Sequence, residues 1–190
     1  IHRLPRDTEN LQVILDQWTP QDWLAHVRMG QHLFLWLLGR LEDKFIKRDS
    51  KTGGKPVRPG WCQLGAVLSW LAGARCVDIC TIWGMHKAGF IRYSTRLVVA
   101  IVEELGAEYI RWPEPAQYEE LSVAFSRWCK FSGTVGAVDG IIIPVQIPRR
   151  ELRQVMYCER KDVYGVNAQA VADPNCMFTF MSASHFCFGA

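Results

Sequence analysis

Apolar positions recur at helical spacing through the first two thirds of the chain, then change to alternation and short continuous runs. Leu11, Ile14, Leu15 and Trp18 make the first helical stripe. Thr19-Pro-Gln-Asp follows, supplying a capping hydroxyl, a first-turn proline and an acid three residues on. Trp23, Val27, Leu33, Phe34, Leu37, Leu38, Leu41 and Phe45 continue the stripe with a break near Gly30. Residues 48–60 are polar, basic and rich in Gly and Pro, which predicts a loop. Leu64, Val67, Leu68 and Leu71 then predict a helix ending near Gly73. A short helix follows from Cys76 to about Trp83 and stops at Gly84. A longer one begins near Lys87 and carries Ile91, Leu97, Val98, Ile101, Val102 and Leu105. Trp112-Pro-Glu-Pro interrupts the pattern before an amphipathic helix expected from about Gln117 to Lys130.

The period then changes. Thr134–Val138, Ile141–Ile147, Val163–Ala172 and Met177–Ser182 read as strands separated by Gly, Pro, Asp and Asn. Helices first and strands afterwards predict an α+β arrangement with a border near residue 131. The expected organisation is N-terminal helices and a basic loop over 1–60, a helical region over 61–130, and a strand region over 131–190.

At 190 residues the chain can form one ordinary domain, or a small one plus part of another. Nearly half the residues are apolar and eight are Trp, enough for a packed core. Net charge is +3, too modest to imply a nucleic-acid partner by itself. Its distribution says more. Arg40, Lys44, Lys47, Arg48, Lys51, Lys55 and Arg58 crowd one segment, and Arg149, Arg150, Arg153, Arg160 and Lys161 another. Such runs are commonly solvated faces.

The seven cysteines stand singly, with no Cys-x-x-Cys pair, so neither a zinc site nor a disulfide framework is indicated. They read as small buried apolar residues in a reducing compartment. No apolar run approaches the roughly 18 residues of a membrane span, and no secretory leader is present, so no membrane partner is expected. The chain opens on Ile1 rather than Met, which suggests a trimmed fragment.

Two features carry candidate chemistry. Short helix, Gly-containing turn and longer helix make a helix-turn-helix-like unit. Its second helix could lie in the DNA major groove, where Lys87, Arg92, Tyr93, Ser94 and Arg96 would reach the bases and phosphates. A plain helical hairpin with solvated basic residues satisfies the same pattern. The second feature is Asp139, between the runs Thr134–Val138 and Ile141–Ile147. Asp139-Gly140 is a favoured two-residue hairpin turn. The alternative is a carboxylate projecting from the end of a buried strand to ligate Mg²⁺ or Mn²⁺, hard cations that prefer oxygen.

Other acids have plainer roles. Asp173, before Pro-Asn, reads as a turn residue, while Glu159 and Asp162 balance neighbouring basic charge. Glu103 and Glu104 read as solvated helix residues. His185 beside Ser182 and Ser184 lacks an orienting acid, and no Gly-x-Ser-x-Gly elbow is present. No phosphate-binding Gly loop occurs, so no small-molecule cofactor is expected.

Taken in order, these pieces resemble the PIF/Harbinger family of DDE transposases and the nucleases domesticated from them. The resemblance runs from about Trp23 to Gly189. It rests on Val27-Arg-Met with Phe34 and Leu37, on Leu64 to Gly73, and on Ile82-Trp-Gly-Met-His-Lys-Ala. It continues through Tyr109-Ile-Arg-Trp-Pro, Val135-Gly-Ala-Val-Asp-Gly with Ile143 and Pro148, and Tyr157, Arg160, Lys161 and Val166-Asn-Ala-Gln-Ala-Val-Ala-Asp.

The resemblance implies a helical, helix-turn-helix-like DNA-binding region followed by the first strands of an RNase H-like core, truncated here. Asp139 would be the first of three catalytic acids and a ligand for Mg²⁺ or Mn²⁺. DNA would be the partner, held by Lys87, Arg92, Ser94, Arg96, Arg160 and Lys161, with a separate DNA-binding protein as a further partner and the nucleus as the location. In the family a Pro-Gly-Ser-like turn leads to the second acid. Phe188-Gly-Ala occupies that place here, so the second and third acids are expected beyond Ala190. The implied activity is metal-dependent phosphodiester cleavage or strand transfer. The alternative is a decayed or domesticated fragment that binds DNA or a protein without catalysis.

Overall fold

The structure, a computed structural model, describes residues 16–46, 57–128 and 130–184. The stripe Leu11–Leu15, most of the basic loop, His185 and Phe188-Gly-Ala lie outside the described residues. Among the described residues there are seven α-helices and a four-stranded antiparallel sheet, an α+β chain. It divides into two compact units, Ile1–Glu104 and Leu105–Ala190.

In the first unit, α1 (Pro20–Val27) starts at the predicted cap. The Asp22 amide donates to Thr19 Oγ1 at 3.3 Å, and the Thr19 amide donates to Asp22 Oδ2 at 2.8 Å. The Thr19 hydroxyl, which donates to Asp22 Oδ2 at 2.7 Å, and then the Thr19 amide hold the Asp22 carboxyl below its ordinary range. Arg28 ends α1 in the left-handed region, and α2 (Gln31–Arg40) begins after Gly30, which places the predicted break. α3 (Gly60–Leu71) is buried at every position from Cys62 to Ser69. A helix enclosed all round is the centre of its unit.

Trp23, Val27, Phe34, Leu37, Leu41 and Phe45 complete this core with Ile79, Trp83, Phe90 and Leu97. Each fully buried large apolar side chain contributes about 1.5–3 kcal/mol. The two polar residues inside α3 are both satisfied. Ser69 Oγ accepts from Trp83 Nε1 at 3.1 Å. The Gln63 amide bonds to backbone on both sides of residues 47–56: Ile46 N–H donates to its Oε1 at 3.1 Å. Its Nε2 donates to the carbonyls of Ile46 at 3.0 Å and Arg58 at 2.7 Å.

α4 (Cys76–Ile82) lies within a residue of its predicted span, and α5 (Lys87–Tyr109) starts where predicted and runs four residues past Leu105. Between them Gly84 sits at φ +56°, a left-handed turn suited to glycine. Its carbonyl accepts from Arg58 Nη2.

In the second unit, α6 (Tyr118–Phe125) is shorter than expected. Ser126 Oγ donates to the Val123 carbonyl at 2.6 Å and Ser122 Oγ accepts from Gly133 N–H at 2.9 Å, side-chain bonds that compete with helix continuation. The sheet comprises β1 (Ala137–Pro144), β2 (Tyr157–Cys158), β3 (Val163–Ala172) and β4 (Phe178–Ser184). β3 is central. β1 pairs along one edge of it, and β2 and β4 occupy the other. A short helix, α7 (Arg153–Met156), contacts β3 and carries the buried Met156.

One expectation is overturned here. Asp139-Gly140 is no hairpin turn: β1–β3 pairing runs unbroken from Ala137↔Ala172 to Pro144↔Gly165, and Asp139 faces Ala170. The two predicted strands are one. The turn reading failed because Ile141 to Ile143 prolong the β-favouring run, and pairing along eight residues outweighs a local Asp-Gly preference. Nor is β1 a buried strand, since Val138 is 72% and Ile141 63% exposed.

Candidate functional site

The alternation of side chains puts Asp139 on one sheet face with Ile141 and Ile143. The register adds Ala168, Ala170 and Ala172 of β3, and Met181 and Ala183 of β4. Asp139 is therefore the single carboxylate on an apolar face, and its neighbour straight across is a methyl group. Its Oδ1 accepts from the Gly140 amide at 2.7 Å. Val145 N–H donates to the Tyr164 carbonyl, so odd-numbered β1 residues bond β3 and the Gly140 amide points to the outer edge. The carboxylate thus leans toward that open edge. Oδ2 has no protein partner among the described residues.

The other candidates are not gathered around it. Arg160 and Lys161 lie on the single turn Glu159–Lys161 before β3 and are exposed. Val163 and Ala170 are seven residues apart on an extended strand, about 23 Å at roughly 3.3 Å each, so these cations stand far from Asp139. Asp162, left-handed at φ 52°, accepts from Tyr157 O–H at 2.6 Å, which pushes the Tyr157 phenol up. It is bonded to a tyrosine rather than balancing its basic neighbours. Asp173 takes the predicted turn role: its Oδ1 accepts from the amides of Asn175 and Met177, both at 2.8 Å.

On α5, Lys87 and Arg92 are exposed. Ser94 and Tyr93 must be corrected: both are buried, and Ser94 Oγ donates to the Ile91 carbonyl at 3.0 Å. They fall on the same helical stripe as Phe90 and Leu97, which points into the core. Arg96 is exposed, yet its Nε donates to the Lys44 carbonyl at 2.6 Å. Lys44 also pairs with Glu104 at 2.6 Å, so Glu104 is not the solvated acid expected. Arg96 fastens the turn after α2 onto α5.

No protein-family model, curated protein or solved structure matches this chain. The site is accordingly read from its own chemistry.

A divalent cation would find one oxygen ligand at Asp139. Mg²⁺ keeps several waters and accepts few protein carboxylates, so a single ligand position fits. A two-ion centre does not. Among the described residues no group of three or more His, Cys, Asp or Glu side chains could hold a metal.

A separate groove of about 620 Å³, lined by Leu35, Leu38, Phe45, Pro59 and Trp61 among others, carries Glu42 and Arg58 as its charged residues. The sequence reading also missed a cysteine pair. Cys76 and Cys80 are one turn apart on α4, both half-buried. Burial and Cys76 push Cys80 up to about 11. Their spacing of four on a predicted helix was the available signal.

Proposed function

We propose that this chain is the DNA-holding part of a transposase-derived, divalent-metal-dependent nuclease, and that it contributes the first metal-ligating acid, Asp139. The supporting observation is the unbroken strand register through Asp139, which presents an unpaired carboxylate oxygen on an otherwise apolar sheet face. In two-ion phosphodiester cleavage one ion would activate the attacking oxygen and the other would stabilise the leaving one. The described residues supply one ligand position for an ion, and no cleavage step is assigned to them. In this reading the two helices α4 and α5, joined through Gly84, would serve as the helix-turn-helix, with the exposed Lys87 and Arg92 as its outward cations. They would neutralise DNA phosphates.

The test is DNA binding across a salt series by fluorescence anisotropy. Each phosphate contact contributes about 0.9 to the log–log slope. Lys87→Ala/Arg92→Ala should flatten that slope by about 1.8, while Arg160→Ala should change it by about 0.9. Salt-insensitive or undetectable binding by the native chain would remove the proposal.

The isolation of Asp139 favours a second reading, a domesticated protein that binds DNA without cutting it. In a preparation of the full-length protein with Mn²⁺, nicking that disappears in Asp139→Asn supports the nuclease. DNA binding without nicking supports the second reading.

A further inference from the structure

We propose that Cys76 and Cys80 form a two-thiolate site for a soft, two-coordinate cation of the Cu(I) class. Both residues lie on α4, four apart, so their side chains stack along one helix face with Cβ atoms about 5–6 Å apart. Both residues are half-buried rather than sealed in the core. A disulfide needs Cβ atoms about 3.5–4.5 Å apart, closer than a helical turn holds them, and would require α4 to unwind. Two thiolate–metal bonds of roughly 2.3 Å each span a wider gap, which suits the intact helix.

The ligand count selects the ion. Structural zinc takes four ligands, and among the described residues no group of three or more suitable side chains occurs. Soft thiolates select Cu(I), and two of them satisfy linear coordination. Binding exchanges two thiol protons for one Cu⁺ and leaves a bis-thiolate complex of charge −1, with no electron transferred and no oxidant required.

The test is anaerobic competition for Cu(I) against bicinchoninate, read by loss of the chelate's colour. The reduced native chain and a Cys158→Ser/Cys176→Ser variant should each withdraw about one Cu(I). Cys76→Ser and Cys80→Ser should withdraw none at the same chelator concentration. Cys76→Ala and Cys80→Ala repeat the measurement in case serine disturbs α4, with circular dichroism checking the fold. X-ray absorption should show two sulfur neighbours. The proposal is overturned if the native chain withdraws no copper, if either Cys76 or Cys80 is dispensable, or if three or more ligands surround the ion. Ready formation of a Cys76–Cys80 disulfide under oxidised glutathione, with the helix retained, would overturn the geometric argument.

Discussion

Replacing Gln63 with leucine tests how residues 46 and 58 are held to the central helix. The side chain is 1% exposed, and its amide makes three bonds to backbone, at 3.1, 3.0 and 2.7 Å. Leucine keeps nearly the same volume, so cavity formation is a minor part of the cost. What changes is that one amide and two carbonyls lose their partner. A buried polar group left unsatisfied costs about 1–3 kcal/mol. Ile46 and Arg58 are half-buried, so water can repair part of the loss. We expect a total of about 2–4 kcal/mol, a large share of the roughly 5–15 kcal/mol typical of a domain. In urea, with a slope near 2 kcal/mol/M, the midpoint should fall by about 1–2 M. Hydrogen exchange should show the Ile46 amide losing protection. Gln63→Glu should be no milder, because a carboxylate accepts from Ile46 but cannot donate to either carbonyl. A midpoint within about 0.25 M of native, with Ile46 still protected, would refute the reasoning.

Three further outcomes are expected. A methyl group at Gly65 would overlap the six-membered ring of the fully buried Trp83, so Gly65→Ala should destabilise the protein by about 1–3 kcal/mol despite alanine's helix preference; a neutral result in thermal unfolding would mean that α3 and Trp83 are not packed as described. Burial pushes the Cys62 thiol up to about 12, with Arg58 opposing, so the folded state holds its proton longer than the unfolded chain; the associated stability is complete below about pH 8.5 and is lost between there and about pH 12, and that loss should be absent from urea titrations of Cys62→Ala. The sheet leaves Val138, Ile141 and Phe180 exposed while α3 is enclosed, so amides of β1 and β4 should exchange faster than those of α3; equal protection would contradict the burial pattern.

The first unit was largely legible because its signals are local. Thr19, Pro20 and Asp22 mark a helix start that depends on neighbours three residues away, and Gly84 marks a turn its own backbone requires. Asp139 was harder to place. Local chemistry favours a turn at Asp-Gly, whereas pairing with Ala170, 31 positions along, decides for a strand. The inward position of Ser94 was readable, since it keeps helical phase with Phe90 and Leu97. That Arg96 is tied to Lys44 was not, because that bond joins residues 52 positions apart. The same holds for Gln63, whose polarity inside an apolar helix is explained only by chain segments brought to it in space.

The most direct test of the account is titration of the chain with Mn²⁺, followed by paramagnetic broadening of its amide signals. Broadening should begin at residues 139–141 and at Ala168 and Ala170 across the strand pair, and Asp139→Asn should abolish it while leaving the sheet intact. Broadening that survives in Asp139→Asn, or that centres on Asp173 or another acid, would contradict the assignment of Asp139 as the metal-ligating carboxylate.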